Sequence, residues 1–349
     1  MSVSRNLSNH ILSYILLLCL AACSSRHENS FNGAVRHIAR FPVESVLEGE
    51  KLPYIQSIGF YGCDLVYPYL LLSLGKQDSL VGIYDVDKKV FLADYFAYGP
   101  GPDDFNSFVI VDLHRDSLLC VNDVYRREFR MIRLHQTVQS GRMVYEQRLK
   151  HEDIHEQVFY TDSLLWMKSA DDNQIRYLCS DTTYPKKRLY KEEIGERDLN
   201  HMLLLADAIK PDGSKLVSLA GILDQIDILS LTSADENLSV TTSVRLPTLS
   251  QWQDDDYAHV TDFYLGIPRC DDSCIMALHV DPETKRKELH VIDWYGNALA
   301  KWQLREDLVD FCVDWDRSQI YGITSEEEVY VYSFQILRAG CLAGKGSEG

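Results

Sequence analysis

One stretch of the chain has the histidine and glutamate spacing of a zinc-dependent hydrolase: His151-Glu152-Asp153-Ile154-His155. On a helix, histidines four positions apart share one face that can bind zinc, and the glutamate between them can activate a water molecule. No further ligand follows at a suitable spacing, and Asp153 and Glu156 place charges beside the second histidine. We therefore interpret this stretch as a charged connecting loop and predict no metal ion there.

A second cluster combines carboxylates, an imidazole and an aromatic ring. Its members are Trp252, Asp254, Asp255, Asp256 and His259. Oxygen-rich clusters bind hard cations, and sugars are bound by aromatic rings beside polar side chains. The spacing lacks the glycine and the terminal glutamate of a calcium-binding EF-hand loop, so a solvated loop is the alternative. We keep these five residues as candidates for ligand binding.

Two cysteines, Cys270 and Cys274, lie four positions apart across a polar turn. In an oxidising compartment the two can form a local disulfide, and free thiols are the alternative. A zinc site would need a second pair of ligands, which the sequence lacks. The glycine-rich and serine motifs of common hydrolases and nucleotide-binding proteins are also missing, so we predict no catalytic residue and no cofactor.

The first 22 residues have the pattern of an export signal, with Arg5 before an apolar run that is too short to span a bilayer. Ala21 and Ala22 then precede Cys23. This order resembles the bacterial lipobox, in which the cysteine is acylated and becomes the first residue. An ordinary signal peptide cut near Ala22 is the alternative. We expect fatty acids such as palmitate on Cys23 and a flexible tether over residues 23–33.

The composition limits the partners of the folded part. The formal net charge of −17 repels phosphate backbones, so we predict no nucleic-acid partner. No second long apolar run exists, so the lipid on Cys23 would be the one attachment to the membrane. Only one acidic residue, Glu28, follows closely after Cys23. By resemblance to other lipoproteins, we expect the cell envelope, on the periplasmic side of the outer membrane rather than at the cell surface.

Short apolar runs separated by polar turn residues recur along the chain and predict antiparallel strands. They group into units of 40 to 50 residues or so, the size of propeller blades. We place these units at residues 59–98, 108–149, 158–190, 206–246 and 260–304, with a sixth from about residue 309. We predict an all-β, six-bladed propeller over residues 34–336, with the strand-like residues 34–43 completing the last blade and a disordered tail over residues 337–349. Two unrelated β-sandwiches are the alternative.

One motif carries a resemblance to a known family. Gly99-Pro100-Gly101-Pro102-Asp103-Asp104-Phe105 resembles the G-x-G-P-x-E-F signature of the TolB-like six-bladed propeller lipoproteins of gut Bacteroidetes, with Asp104 in place of glutamate. The resemblance implies a structural motif after the first blade, made by Gly99, Gly101, Pro102, Asp104 and Phe105. We expect the glycines to supply unusual backbone angles, an aspartate to cap backbone N–H groups, and Phe105 to fill the space between blades.

Two classes of function follow from this sequence. The first is a non-catalytic binding or assembly module that is anchored to the membrane and presents a propeller face to an envelope protein or a glycan. The second is an exported propeller enzyme, such as a metal-dependent hydrolase or lyase acting on glycans or lactones. The enzyme would need acidic residues and histidines that converge in the central channel, and the first class is the one that we expect.

Overall fold

The computed structural model describes residues 31, 33–55, 59–75, 78–111, 117–151, 158–161, 164–169, 176–180, 187–188, 205–231, 237–242 and 263–336. Within these residues the chain is built of strands, with one short helix. None of the described helices has the length and apolar character needed to cross a membrane.

The described strands form six sheets, each built on an antiparallel meander. Three short strands come first: β1 (Ala34–His37), β2 (Glu44–Leu47) and β3 (Glu50–Lys51). Sheet I contains β4 (Phe60–Val66), β5 (Tyr69–Leu74), β6 (Val81–Asp85) and β7 (Val90–Tyr95). Sheet II contains β8 (Val109–Val111), β9 (Leu118–Asp123), β10 (Glu128–Arg133) and β11 (Tyr145–Lys150), with helix α1 (Leu134–Ser140) between the last two. Sheet III contains β12 (Val158–Thr161), β13 (Leu164–Ser169), β14 (Arg176–Cys179) and β15 (Lys187–Arg188).

The second half of the chain continues this pattern. Sheet IV contains β16 (Leu205–Ile209), β17 (Lys215–Ala220), β18 (Gln225–Ser230) and β19 (Leu238–Thr241). Sheet V contains β20 (Tyr264–Cys270), β21 (Cys274–Val280), β22 (Lys287–Asp293) and β23 (Ala298–Leu304). Sheet VI contains β24 (Leu308–Asp314), β25 (Gln319–Thr324) and β26 (Val329–Ser333). Consecutive strands pair within each sheet. Many of the connecting turns are short and contain Asp, Gly or Pro, which favours hairpins, whereas β10 and β11 are joined through α1.

The N-terminal segment pairs differently from the sequence-based expectation. Strand β1 adds in parallel to β19 of sheet IV, and β2 adds in parallel to β23 of sheet V. The fourth strand of sheet VI is β3, which pairs with β26 over Glu50 and Lys51. The prediction that residues 34–43 complete the last blade is therefore wrong. The segment instead runs along the outer edges of three sheets, where it covers backbone groups that would otherwise be exposed.

Apolar clusters fill the space between neighbouring sheets. Separate clusters join sheets I and II, sheets IV and V, and sheets V and VI, while a larger cluster joins sheets II, III and IV. A further cluster joins sheet VI back to sheet I, and there β24 packs against β4. Inner strands are therefore buried on both faces, as in the fully buried β21 (Cys274–Val280), whereas outer strands such as β7 and β11 are partly exposed. This all-β arrangement around a central channel is a propeller fold.

Candidate functional site

The first strand of each meander lies nearest the channel, and several of these strands end at one opening, which we call the channel mouth. A cavity of about 660 Å³ lies there, between β4, β8, β20 and β24 and their following turns. Its charged lining residues are Asp64, Arg269, Asp271, Asp272, Asp314, Asp316 and Arg317. Five carboxylates face two guanidinium groups, so the channel mouth has a negative potential that attracts cations.

Arg269 is the most heavily bonded group of the channel mouth. Its guanidinium contacts the Asp64 carboxylate at 2.6 Å and donates to the carbonyl oxygens of Phe311 at 2.8 Å and Cys63 at 2.9 Å. A second carboxylate, that of Asp310, lies 3.8 Å away. Burial opposes the charge on Arg269, but the two carboxylates more than offset this and raise its pKa above the usual range. One buried cation thus joins the inner strands of sheets I, V and VI.

Two other acids of the channel mouth stabilise their own turns. The Asp314 carboxylate accepts from the backbone N–H of Arg317 at 3.0 Å and from its guanidinium at 3.2 Å. The Asp271 carboxylate accepts from the backbone N–H groups of Ser273 at 2.7 Å and Cys274 at 2.8 Å. These carboxylates are therefore occupied by structural bonds. Within the described part of the chain, the channel mouth holds no group of three metal-binding side chains close enough to share an ion.

Aromatic rings lie beside the charges of the channel mouth. The Arg317 guanidinium stacks on the Tyr67 ring, with its central carbon 3.2 Å from the ring centre. Trp315 lines both the main cavity and an adjoining groove, which also contains Asp272, Asp316 and Phe334. Rings next to carboxylates favour cationic groups that carry apolar stems, such as lysine and arginine side chains.

The glycine-proline motif lies between sheets I and II, away from the channel mouth. The Asp104 carboxylate accepts from the Gly101 N–H at 2.7 Å, and Arg126 donates to the carbonyl oxygens of Gly99 and Gly101. Phe105 is fully buried in the cluster between the two sheets. The arrangement is that of a structural crossing between sheets, with capping by Asp104.

The expected reason for the two glycines of this motif needs correction. Neither Gly99 nor Gly101 is among the residues with a positive φ. A Cβ atom on Gly99 would instead lie 2.5 Å from Oδ2 of Asp104, and one on Gly101 would lie 2.6 Å from the same atom. The glycines are needed because the capping carboxylate approaches the backbone closely, not because of unusual backbone angles.

Cys270 and Cys274, the pair considered for a local disulfide, are both buried and are not bonded to each other. Cys270 pairs with Ile275 across the hairpin, so Cys274, one residue earlier, points to the opposite face of sheet V. Cys270 accordingly packs between sheets IV and V, and Cys274 packs between sheets V and VI. The alternation of side chains along a strand thus prevents the bridge.

Other predicted residues lie largely outside the described part of the chain. This holds for Cys23 and for the five candidates Trp252, Asp254, Asp255, Asp256 and His259. Of the stretch that contains His151 and His155, only His151 is described. It is buried at the end of β11, with Nε2 3.3 Å from the side-chain oxygen of Asn122. The predictions for the other residues remain predictions.

A buried polar cluster between sheets IV and V was missed by the sequence analysis. His279, Glu288 and His290 place one nitrogen or oxygen atom each within 4.8 Å of one another. Burial lowers the pKa of His279 to about 2, and electrostatic repulsion from its neighbours His290 and Lys301 contributes, so its ring is neutral. The signal for this cluster was available, since Leu278-His279-Val280 and Leu289-His290-Val291 repeat one tripeptide in neighbouring strands.

No protein-family model matches the chain, and no curated protein matches it either. Solved structures do match it. A Bacteroides fragilis protein named as exported, BF0058, has a TM-score of 0.50 at 11% identity, over 86% of this chain and 98% of that one. A member of the duf4221 family from Bacteroides vulgatus has a TM-score of 0.50 at 11% identity, over 86% of this chain and 95% of that one. At this identity the likeness shows a shared fold alone, so membership of the TolB-like family stays a prediction.

Proposed function

We propose that this protein is an exported lipoprotein of the cell envelope whose channel mouth binds a positively charged segment of a partner protein without catalysing a reaction. The observation that carries the proposal is the channel mouth itself, where five aspartates and two arginines line a cavity of about 660 Å³. Lysine and arginine side chains suit such a surface because they pair with carboxylates and lay their stems on aromatic rings.

The bonding of the acidic residues supports binding rather than catalysis. A general acid or base needs a carboxyl group that is free to reach substrate. Asp64 is paired with Arg269, and Asp271 and Asp314 hold their own turns. Asp272 and Asp316 are the exposed acids of the channel mouth, and they are the ones that we assign to partner contact.

The binding proposal is tested by reversing the charge of the two exposed aspartates. The probe is a fluorescent hexalysine peptide, whose binding is followed by anisotropy at low and physiological salt. We expect Asp272→Lys with Asp316→Lys to weaken binding at least tenfold, because each reversal replaces an attraction with a repulsion. Binding that is equal in the double variant and the native chain would contradict the assignment of the channel mouth.

The matched control places the same charge change at the other end of the propeller. Glu283 and Glu326 lie exposed in the turns that join the second and third strands of sheets V and VI, opposite the channel mouth. The double variant Glu283→Lys with Glu326→Lys has the same net charge as the test variant. We expect it to bind the probe within about twofold of the native chain. An equal loss in both variants would show that net charge alone attracts the peptide.

Photocrosslinking in cells tests whether a protein partner meets this surface. A photoreactive amino acid at Asp272 should capture one envelope protein reproducibly, whereas the same group at Glu283 should not. Capture from both positions, or recovery of the protein alone, would speak against a partner at the channel mouth and favour a small ligand.

The lipid anchor is a separate part of the proposal, supported by the order Ala21-Ala22-Cys23 after an apolar run. We expect the protein from its native host to partition into the detergent phase, and the Cys23→Ser variant to stay in the aqueous phase. Mass spectrometry of the N-terminal peptide should show acyl chains on Cys23. An unmodified Cys23, or a processed chain that begins at another residue, would refute the anchor.

We also propose that sheets I to VI are the six blades of one ring. The packing of β24 against β4 supports this count, as does the apolar cluster between sheets VI and I. Strand β3 would close the ring as the outermost strand of the last blade. A crystal structure of the mature chain tests the count directly, and any number of sheets other than six around the channel would refute it.

A further inference from the structure

The polar cluster between sheets IV and V lies apart from the channel mouth and is built by two adjacent strands. Glu288 on β22 is paired with His279 on β21, and His290 is paired with Ala277. Because side chains alternate along a strand, His279, Glu288 and His290 all project from the same face of sheet V. That face packs on sheet IV, so three side chains that can bind a metal are held in an apolar interface.

The donor atoms of this cluster converge. Nε2 of His290 lies 3.5 Å from Oε2 of Glu288, and Nδ1 of His279 lies 3.9 Å from the same oxygen. Ligands bound to Zn²⁺ at about 2.0 to 2.2 Å in a tetrahedron are separated by roughly 3.3 to 3.6 Å. The observed separations are close to this range but too long for good hydrogen bonds. The three donor atoms lie within 4.8 Å of one another, so the side chains must move closer together and turn before all three can reach one ion.

Three of the four imidazole nitrogens of the cluster have no hydrogen-bond partner among the described residues. Among the described residues, neither nitrogen of His279 nor Nδ1 of His290 has a hydrogen-bond partner, although both rings are buried. A buried polar atom without a partner costs about 1–3 kcal/mol, so such atoms are rare unless a ligand satisfies them.

The opposite side of His279 faces a carboxylate from sheet IV. Oδ1 of Asp224 lies 3.7 Å from Nε2 of His279 and accepts a hydrogen bond from the Tyr264 hydroxyl at 3.3 Å. Metal-bound histidines commonly present their second ring nitrogen to a carboxylate, which fixes the tautomer and orients the ring. Asp224 occupies that place as a positioning residue.

We propose that His279, Glu288 and His290 bind a divalent transition-metal ion, with zinc the best match. Nδ1 of His279, Nε2 of His290 and a Glu288 oxygen are the ligands, and Asp224 orients His279. Two nitrogen ligands favour zinc over calcium or magnesium, which prefer oxygen alone. The two rings are now stacked, with centres 4.1 Å apart, so binding tilts them until both lone pairs meet the ion. An ion held here ties sheet V to sheet IV through Asp224.

The test measures zinc in the full-length protein after expression with added zinc and removal of loosely bound metal. We expect one zinc ion per chain by elemental analysis. X-ray absorption of the native protein should show nitrogen and oxygen ligands at about 2.0–2.1 Å, whereas thiolates would appear at about 2.3 Å. Less than a tenth of an equivalent of zinc, or a first shell that contains sulfur, would overturn the proposal without the need for any variant.

Variants then assign the ligands. We expect Glu288→Gln and His290→Gln to lose the zinc, and Asp224→Asn to retain it with an affinity about 10- to 100-fold lower. Circular dichroism of each metal-free variant shows whether it is folded. The matched control is His151→Gln, which removes a buried histidine outside the cluster and should keep the full equivalent. If His151→Gln loses the zinc and Glu288→Gln keeps it, the assignment is overturned and the ligands must be sought at residues 151–155.

Discussion

Replacing Arg269 by methionine tests how strongly one buried cation holds the inner strands of three sheets. The substitution keeps much of the apolar stem and removes the guanidinium. It leaves the Asp64 and Asp310 carboxylates without their cation and leaves the carbonyl oxygens of Cys63 and Phe311 without this donor. The substitution therefore removes contacts that join sheets I, V and VI at the point where they line the channel.

The expected cost follows from these contacts. Removing one partner of a buried ion pair typically costs about 3–5 kcal/mol, because an uncompensated charge stays behind. Each carbonyl oxygen that loses its donor adds about 1–3 kcal/mol to the loss of stability if no water molecule replaces the donor. Water in the channel mouth can reach part of this site, so we expect Arg269→Met to lower the free energy of unfolding by about 4 kcal/mol.

Urea denaturation followed by circular dichroism measures this loss. The control is Arg305→Met, because Arg305 is 65% exposed and pairs with Glu48 at 2.7 Å on the surface. Exposed pairs contribute about 0–1 kcal/mol, so the control should stay within 1 kcal/mol of the native chain. A loss for Arg269→Met that is no larger than that of the control would refute the reasoning.

The dependence on pH gives a second check of the same substitution. Burial raises the pKa of Asp310, and the positive charge of Arg269 counteracts part of this rise. Without Arg269 the folded-state pKa should rise further, so the folded variant binds a proton more tightly than the unfolded chain. Lowering the pH from 7 toward 5 should therefore reduce the deficit of Arg269→Met relative to the native chain. A deficit that is constant over this range would argue against buried carboxylates as its cause.

Three further predictions concern sheets I and II. Asp104→Ala removes the cap on the Gly101 N–H and should cost about 1 kcal/mol in urea denaturation, whereas Asp103→Ala in the same loop should cost less than half of that; equal losses would refute the capping role. Phe105→Ala empties a fully buried site and should cost about 3–5 kcal/mol, and a loss below 1 kcal/mol would show that the space closes without it. Burial opposes ionisation of Glu128, but hydrogen bonds and charges from its two arginine partners lower its pKa below 4.5. The stability that the ionised Glu128 adds is therefore full above about pH 4.5 and is lost as the pH falls through the lower folded-state pKa. Thermal melts of Glu128→Gln should lose this pH dependence, and a profile equal to that of the native chain would refute the prediction.

Much of the strand pattern could be predicted from the sequence because each strand carries its own local signal. Ile275–Leu278 is apolar, Glu288–Ile292 mixes apolar residues with Glu288 and His290, and Asp281 and Pro282 mark the turn between the two runs. Hairpin pairing between consecutive strands can be predicted from these signals, since a strand that follows a short turn has few other strands within reach. The role of Phe105 between two sheets was predicted on the same local basis, from a motif at the crossing.

The partners of the N-terminal strands could not be predicted in this way. Residues 34–51 contain three short strands whose patterns fit the edge of any sheet. Their parallel and antiparallel pairings with sheets IV, V and VI depend on where those edges lie in the folded ring. An N-terminal strand was expected to complete the last unit, and β3 does so, but the choice of residues 34–43 for this strand was wrong because edge pairing depends on long-range contacts.

The sequence by itself thus determined the fold class, the turn chemistry and the acidic character of this protein, since these depend on residue type and near neighbours. Only the tertiary structure decided which distant groups meet. Arg269 and Asp64 lie in different sheets, and so do His279 and Asp224. It also placed Cys270 and Cys274 on opposite faces of one sheet. Contacts of this kind depend on how the sheets are arranged around the channel, and no local pattern encodes that arrangement.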